Sequence, residues 1–258
     1  MIRGLYTGAS GMLSEMSRTD VISNNLANVN TSGFKKDRAI FRALPEMNIH
    51  RFDDPITVGL DRVIDPRPFI GMLGTGAMLD EINTDFSQGA IKVTSNPLDI
   101  ALRGEGFFEV QTPEGIRYTR DGSFTMDREG YIVTSDGYYV LGENGPVLLP
   151  QEGDIVISQQ GEVTVSGQLV GRLRIVSFND QGQLIKQGSN LYNSQTPMIQ
   201  ADDEVVQVVQ GALEGSNANT ISEMVDLITA FRAYEASQKV IQTNDETLDR
   251  AVNDIARI

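Results

Sequence analysis

The chain of 258 residues contains no cysteine, no tryptophan and a single histidine. Without cysteine it can form neither a disulfide nor a thiolate nucleophile, and no cysteine-ligated metal site exists; the absence is compatible with either side of a membrane. With His50 alone, a Ser-His-Asp triad would have to use that one residue, and a site built on several histidines is excluded. His50 lies in a proline-bearing stretch with no base or orienting partner at a recognisable spacing, so it reads as solvated or structural. Basic residues are the minority sign, 21 against 35 acidic, giving a net charge of −14 without any basic stripe. That balance argues against nucleic-acid binding through phosphate neutralisation. No run approaches the roughly 18 apolar residues of a membrane-spanning helix. The opening, Met1 to Leu13, has one arginine and a broken apolar run, so a cleavable secretory signal is not expected.

Catalytic and ligand-binding patterns are equally scarce. Gly104-x-Gly106 precedes a strand rather than opening a helix, which fails the context of a phosphate cradle. Asp127 and Glu129 lack the alternating ligand ladder of a calcium loop and read as turn residues. The many acids leave a paired-carboxylate glycosidase open as an alternative, but the lack of tryptophan and of clustered aromatics argues against a sugar-stacking cleft. No catalytic, cofactor-binding or metal-binding residue is assigned, no cofactor is expected, and the chain is not expected to be an enzyme.

What is present is organised from the ends inward. Two apolar-periodic segments, 3–29 and 221–258, flank a middle of strands and turns. In the first, Leu5, Ala9, Met12, Met16, Thr19, Ser23 and Leu26 step by alternating fours and threes, the spacing of a helix seam. In the second the series runs Ile221, Val225, Ile228, Phe231, then Tyr234, Ile241, Leu248, Val252 and Ile255. A helix of about 35 residues would be about 50 Å long, more than one small core covers, so it calls for partners. Residues 1–45 carry six basic and three acidic groups, net +3, and residues 196–258 four basic and eleven acidic, net −7. Such opposite charge guides pairing of the ends, within or between chains, while apolar burial must hold it.

The first helix is expected to stop at the cluster from Asn24 to Phe34, where Asn, Ser and Thr side chains compete for the backbone and Gly33 can take a positive φ. Prolines 45, 55, 66 and 68 mark an extended connector. Beyond it the turns Asp121-Gly122, Glu129-Gly130, Asp136-Gly137 and Asn144-Gly145 recur at spacings of eight, seven and eight, with Phe124, Tyr131, Tyr139 and Val140 between them. This predicts a tight antiparallel meander. The expected fold is α+β: long N- and C-terminal helices pairing in a coiled-coil-like layer, and a central all-β domain of short antiparallel strands. The expected division is 1–35 plus 216–258 for the helices, 36–76 and 194–215 for connectors, and 77–193 for the β domain.

At four places the residues resemble one family. Ser23-Asn24-Asn25-Leu26-Ala27-Asn28-Val29-Asn30-Thr31-Ser32-Gly33-Phe34-Lys35 is similar to the N-terminal signature of bacterial flagellar rod and hook proteins. Pro97-Leu98-Asp99-Ile100-Ala101 leading to Gly104-Glu105-Gly106-Phe107-Phe108, and Arg120-Asp121-Gly122-Ser123-Phe124 with Gly130-Tyr131 and Gly137-Tyr138, resemble their shared β domain. Leu213-Glu214-Gly215-Ser216-Asn217-Ala218-Asn219 and Phe231-Arg232-Ala233-Tyr234-Glu235 complete the order. The resemblance implies an axial subunit of the basal-body rod in the cell envelope, exported uncleaved by the flagellar type III apparatus, that polymerises through its terminal helices and transmits torque to the hook. It implies other copies of the chain and neighbouring rod proteins as partners. The wording of 142–147 and of 213–217 is closer to the proximal, FlgF type, with the distal FlgG type and the hook as alternatives; a secreted carbohydrate-active protein or a binding module is the alternative from another class. The expected assembly residues are Leu5, Met12, Met16, Leu26, Ile221, Ile228, Phe231, Ile241, Leu248 and Val252, and the expected family-motif turn is Asn24, Asn25, Asn28, Gly33 and Phe34.

Overall fold

The computed structural model describes the chain except residues 1, 53–55, 59–61, 65, 66, 151, 195, 196, 201–205 and 256–258. The chain divides into two units, residues 1–23 with 38–83 and 224–258, and residues 24–37 with 84–223.

The first unit is built on two helices, α1 (Ile2–Ala27) and α2 (Thr220–Ile255). Neither contains proline, so each runs unbroken. Helix α2 starts at an N-cap, Asn219, whose Oδ1 accepts from the amides of Ile221 at 2.9 Å and Ser222 at 3.2 Å. Its less exposed positions, Leu227, Ala230, Tyr234, Ser237, Ile241, Asn244, Leu248 and Ala251, recur at steps of three and four. The α1 residues that meet this side are the smallest available. A Cβ on Gly8 would lie 2.9 Å from Ile241 Cγ1, one on Gly4 3.3 Å from the Asn244 amide group, and one on Gly11 3.4 Å from Ser237 Oγ. The partner numbers fall as the glycine numbers rise, so the helices run antiparallel. Each glycine in a helix interior costs about 1 kcal/mol against alanine; close approach of the second helix accounts for Gly8.

The segment expected as a connector carries strands. Asp37–Ala43 pairs with Ala77–Thr84, Met47–His50 with Phe69–Leu73, and Ile56–Val58 with Arg62–Ile64, three nested two-stranded ladders. Pro45 sits between the first two ladders, where its carbonyl accepts from Thr75 Oγ1 at 2.8 Å, so the ring interrupts no pairing. Ser14 Oγ ties α1 to this segment by donating to the Ala77 carbonyl at 3.1 Å. His50 is exposed, with Nδ1 2.9 Å from the Arg67 carbonyl and its ring edge-on to Phe69.

The second unit is mostly β. Its largest sheet runs in the order Thr125–Met126, Ile132–Val133, Tyr139–Gly142, Phe107–Thr112, Gly115–Thr119, Leu191–Ser194, Leu184–Lys186, with Gly145–Pro146, Ile175–Ser177 and Ile199–Gln200 attached. The glycine-punctuated strands form the meander read from the turn spacing, and Gly130, Gly137 and Gly145 have positive φ. Side chains alternate across Phe107–Thr112. Phe108 and Val110 enter a core with Ile100, Phe124, Ile132, Val140 and Val163, while Phe107 faces Tyr118, Val176, Phe178 and Tyr192. Residues 207–214, expected in a second connector, also enter ladders: Gln207–Gln210 pairs with Ile100–Arg103, and Ala212–Glu214 with Ile91–Val93.

The helix contact yields a paired test. Gly11→Ala has room beside Ser237 and should stabilise α1 by up to about 1 kcal/mol through helix propensity. Gly8→Leu has none beside Ile241 and should loosen it. Hydrogen exchange of the α1 amides should slow in the first variant and quicken in the second; equal behaviour of the two would show that the helices do not approach at Gly8.

Candidate assembly interface and its buried anchor

The turn that ends α1 belongs to the second unit and is held residue by residue. Asn28 Nδ2 donates to the Asn24 carbonyl at 2.9 Å, and Asn28 Oδ1 accepts from Thr31 Oγ1 at 3.1 Å, closing the last helical turn. Asn24 contributes only its backbone there. Asn25 is buried and exchanges two hydrogen bonds with the Asp37 backbone, donating to its carbonyl at 2.8 Å and accepting from its amide at 2.9 Å, as a strand neighbour would. Its Nδ2 also reaches Glu223 Oε2 at 3.3 Å. Phe34 is buried beneath the Lys186 ammonium, 4.5 Å from the ring centroid.

Gly33 has φ of +66°, and its amide donates to the Glu214 carbonyl at 2.8 Å. A Cβ there would lie 2.5 Å from the Asp121 nitrogen and 2.6 Å from the Arg120 carbonyl carbon, both rigid backbone. Conformation and space therefore both require glycine.

One residue on, Lys35 enters a buried charge cluster. Glu214 is fully buried; its Oε1 accepts from Lys35 Nζ at 2.7 Å and the Gly89 amide at 2.8 Å, and its Oε2 from Arg120 Nε at 2.6 Å. Arg120 spends its other donors on the carbonyls of Gly106, Leu102 and Gly104, and Lys35 also donates to the Ser87 carbonyl at 2.8 Å. Burial pushes the Glu214 carboxyl upward, but the Arg120 guanidinium and the Lys35 ammonium overcome it and hold the group below the ordinary carboxylate value. Beside the cluster Asn217 accepts from the Lys36 amide at 2.8 Å and donates to the Asp85 carbonyl at 2.7 Å. Segments from all four sequence motifs thus meet at one place. The residues were in view in the sequence, but no spacing along the chain indicates that Lys35, Arg120 and Glu214 touch.

The ten expected assembly residues fall into two groups. Leu5, Met12, Leu26, Ile241 and Leu248 are half-buried within the chain, whereas Met16, Ile221, Ile228, Phe231 and Val252 are exposed. On α2 the single stripe read from the sequence is two. The inward side uses Leu227 and Ala230, one residue and so about 100° away from Ile228 and Phe231. Met224, Val225, Ile228 and Phe231 are 48% to 56% exposed and make an outward apolar face near the start of the helix. Tyr6, Leu13 and Met16 are the corresponding exposed large residues of α1. The small residues facing inward, Gly4, Gly8, Gly11 and Ala230, were missed because periodicity counts large side chains. Among the described residues no cluster of acids or histidine could hold a metal ion, and no helix is long and apolar enough to cross a membrane.

Three family models match in chain order: a flagella basal body rod protein model at residues 5–35, a flagellar hook protein FlgE/F/G D1 domain at 101–165, and a flagellar basal body rod FlgEFG protein C-terminal model at 209–254. Similar curated proteins include the flagellar hook-basal body complex protein FlhO of Bacillus subtilis, 32% identical over the whole of both chains. The flagellar basal-body rod protein FlgG of Borreliella burgdorferi is 37% identical over 98% of both chains, and FlgG of Bacillus subtilis 35% identical over 98% of this chain and 99% of its own.

Two variants test the anchor. Gly33→Val should lose about 1 to 3 kcal/mol from the backbone conformation alone, with the clash against residues 120 and 121 adding to it, as read by urea unfolding; a loss under about 0.5 kcal/mol would show the turn to be adaptable. Glu214→Gln leaves two buried cations without their counter-charge and should cost about 3 to 5 kcal/mol at neutral pH. Because the folded-state value of Glu214 is depressed, its stabilisation is present above the ordinary value of 4.5 and is lost as pH falls through the lowered one. The gap between parent and variant should therefore close in acid; a gap that does not depend on pH would refute the charge pairing.

Proposed function

Because the chain belongs to the flagellar hook and basal-body rod family, we infer that it is a structural subunit of the bacterial flagellar basal-body rod and that it assembles through the outward faces of its terminal helices. The observation that carries the assembly reading is the exposed row Met224, Val225, Ile228 and Phe231 on α2. A helix in a closed domain keeps one apolar stripe and turns polar residues to water; α2 carries a second apolar face about 100° from the first. Burying such side chains against a neighbour is worth about 1.5 to 3 kcal/mol each. Identical subunits meeting head to tail without closing the ring build a helical filament, the geometry that an axial structure needs. The same reading assigns a coiled-coil-like layer to the terminal helices, copies of the chain and adjacent rod proteins as partners, and delivery into the envelope space by the flagellar type III apparatus without cleavage. Family membership supports a structural rather than an enzymatic role.

The FlgF-like wording of residues 142–147 supports a proximal position in the rod, and the identity of 35–37% to proteins named FlgG supports the FlgG type as the competing assignment. Gold labelling of isolated basal bodies separates the two by the end of the rod that is decorated.

The assembly reading is tested by the double variant Ile228→Ser, Phe231→Ser. Both residues are solvent-facing in the single chain, so its circular dichroism and melting should stay within experimental error of the parent, while recovery in basal bodies should fall at least tenfold. Gln242→Ser, an exposed polar position on the same helix, should incorporate normally. Undiminished incorporation of the double variant would refute the outward face as the assembly element.

A further inference from the structure

The second unit carries a groove that the rod reading does not use. It has a volume of about 720 Å³, and its lining includes Pro113, Tyr131, Tyr139 and Leu148 together with the polar Gln111 and Glu129. The meander creates it. Tyr131 follows the turn at Gly130 and Tyr139 the turn at Gly137, which brings the two rings edge to face at 5.3 Å and 74°. Pro113 enters from the turn after the strand Phe107–Thr112, and Pro146 from the short strand Gly145–Pro146 that pairs with Tyr139–Gly142. Tyr139 is 37% and Leu148 49% exposed. Among the described residues neither tyrosine hydroxyl makes a hydrogen bond and the Glu129 carboxylate makes no ion pair; only the Glu129 amide is engaged, with Asp127 Oδ1.

We propose that this groove is a docking site for an extended, proline-bearing segment of another protein that carries a basic side chain. A polyproline II strand has three residues per turn, no internal hydrogen bonds and a preformed backbone, so it is recognised by ridges of tyrosine and proline rings that receive its pyrrolidines and by donors that reach its free carbonyls. The two tyrosines supply both, a ring wall and an unspent hydroxyl each. Glu129 fixes the charge of the occupant, because a carboxylate lining such a groove pairs with an arginine or lysine flanking the prolines and repels an acidic segment. The chain's own charge of −14 favours the same sign of partner over distance. A saccharide is the competing occupant of an aromatic groove, but the edge-to-face arrangement of the tyrosines offers no flat platform of two rings to a sugar face.

The test uses the full chain at subunit concentrations low enough to keep it monomeric. A ten-residue peptide of prolines with one arginine near its end is titrated by calorimetry, alongside the same peptide with glutamate in place of the arginine and a β-1,4 glycan, chitotetraose. The arginine peptide should bind with saturation and the glutamate peptide at least fivefold more weakly. Tyr139→Ala should weaken the arginine peptide at least tenfold, and Glu129→Gln should reduce the preference for arginine over glutamate to less than twofold. Tyr139 and Glu129 are exposed, so unchanged melting of both variants accompanies the result. No binding of the arginine peptide, binding that survives Tyr139→Ala, or saturation by chitotetraose in place of the peptide would each overturn the proposal. Leu148→Glu, on the same wall, provides a second variant that must also lose peptide binding.

Discussion

The arrangement of the second unit depends on one carboxylate. Glu214 lies at the end of the strand Ala212–Glu214 and accepts three hydrogen bonds from groups far apart in sequence, Lys35, Gly89 and Arg120. Burying an ion pair is not in itself a route to stability, since desolvation offsets most of the attraction and apolar replacements are often neutral or better. What the charges supply is direction. The guanidinium of Arg120 has five donors in a fixed plane, and three backbone carbonyls between residues 102 and 106 are satisfied by it. An apolar residue of equal volume would leave those carbonyls buried and unpaired, at about 1 to 3 kcal/mol each. The cluster thereby sets the register of the α1 exit turn, the loop at 87–89, the strand-entry loop at 104–106 and the strand end at 214 with respect to one another.

The first unit uses a different principle. Its contact between α1 and α2 relies on absence of bulk: Gly4, Gly8 and Gly11 let the helix axes come close, while Leu13, Met16, Ile228 and Phe231 are turned outward. An isolated two-helix pair with nested two-stranded ladders is a poor core by itself, because little of its apolar surface is enclosed. In a monomer that distribution is a liability for aggregation. In the proposed polymer, neighbours presenting the same face bury it, and the residues that are faults in a solitary domain serve there as the contact surface.

How much of this was legible depended on whether the signal was local. The glycine-punctuated meander and the helix stop at Asn24 to Gly33 follow from turn chemistry within a few residues, and the structure places them there. The absence of a second histidine or any cysteine removed most catalytic possibilities before any fold was known. The family motifs were also local strings. The ladders of 37–84 were obscured by prolines, which broke the period-two pattern although Pro45 and Pro68 fall between ladders rather than within them. The pairing of 207–214 with strands near residue 100 joins segments more than a hundred residues apart, and nothing in composition announces it. The salt-bridged anchor failed to show for the same reason: each of its members sat in a quoted motif, yet sequence reading supplies neighbours along the chain and not across it.

The contrast between the units has an energetic consequence. The β unit encloses Phe108, Ile132, Val140 and Val163 completely and satisfies the buried Glu214 carboxylate from within, so much of its stability is a property of the single chain. The helical unit keeps Met16, Ile228, Phe231 and Val252 exposed, so in the proposed assembly part of its stability comes from the neighbour that covers them and rises with the concentration of that neighbour, as any linked binding equilibrium requires. If the outward face of α2 is the assembly element, as proposed, a change there is felt by every contact in the polymer at once. A repeated interface multiplies small losses: a deficit of about 1.4 kcal/mol per contact lowers each step of addition tenfold, and a filament made of many such steps fails long before any one subunit unfolds.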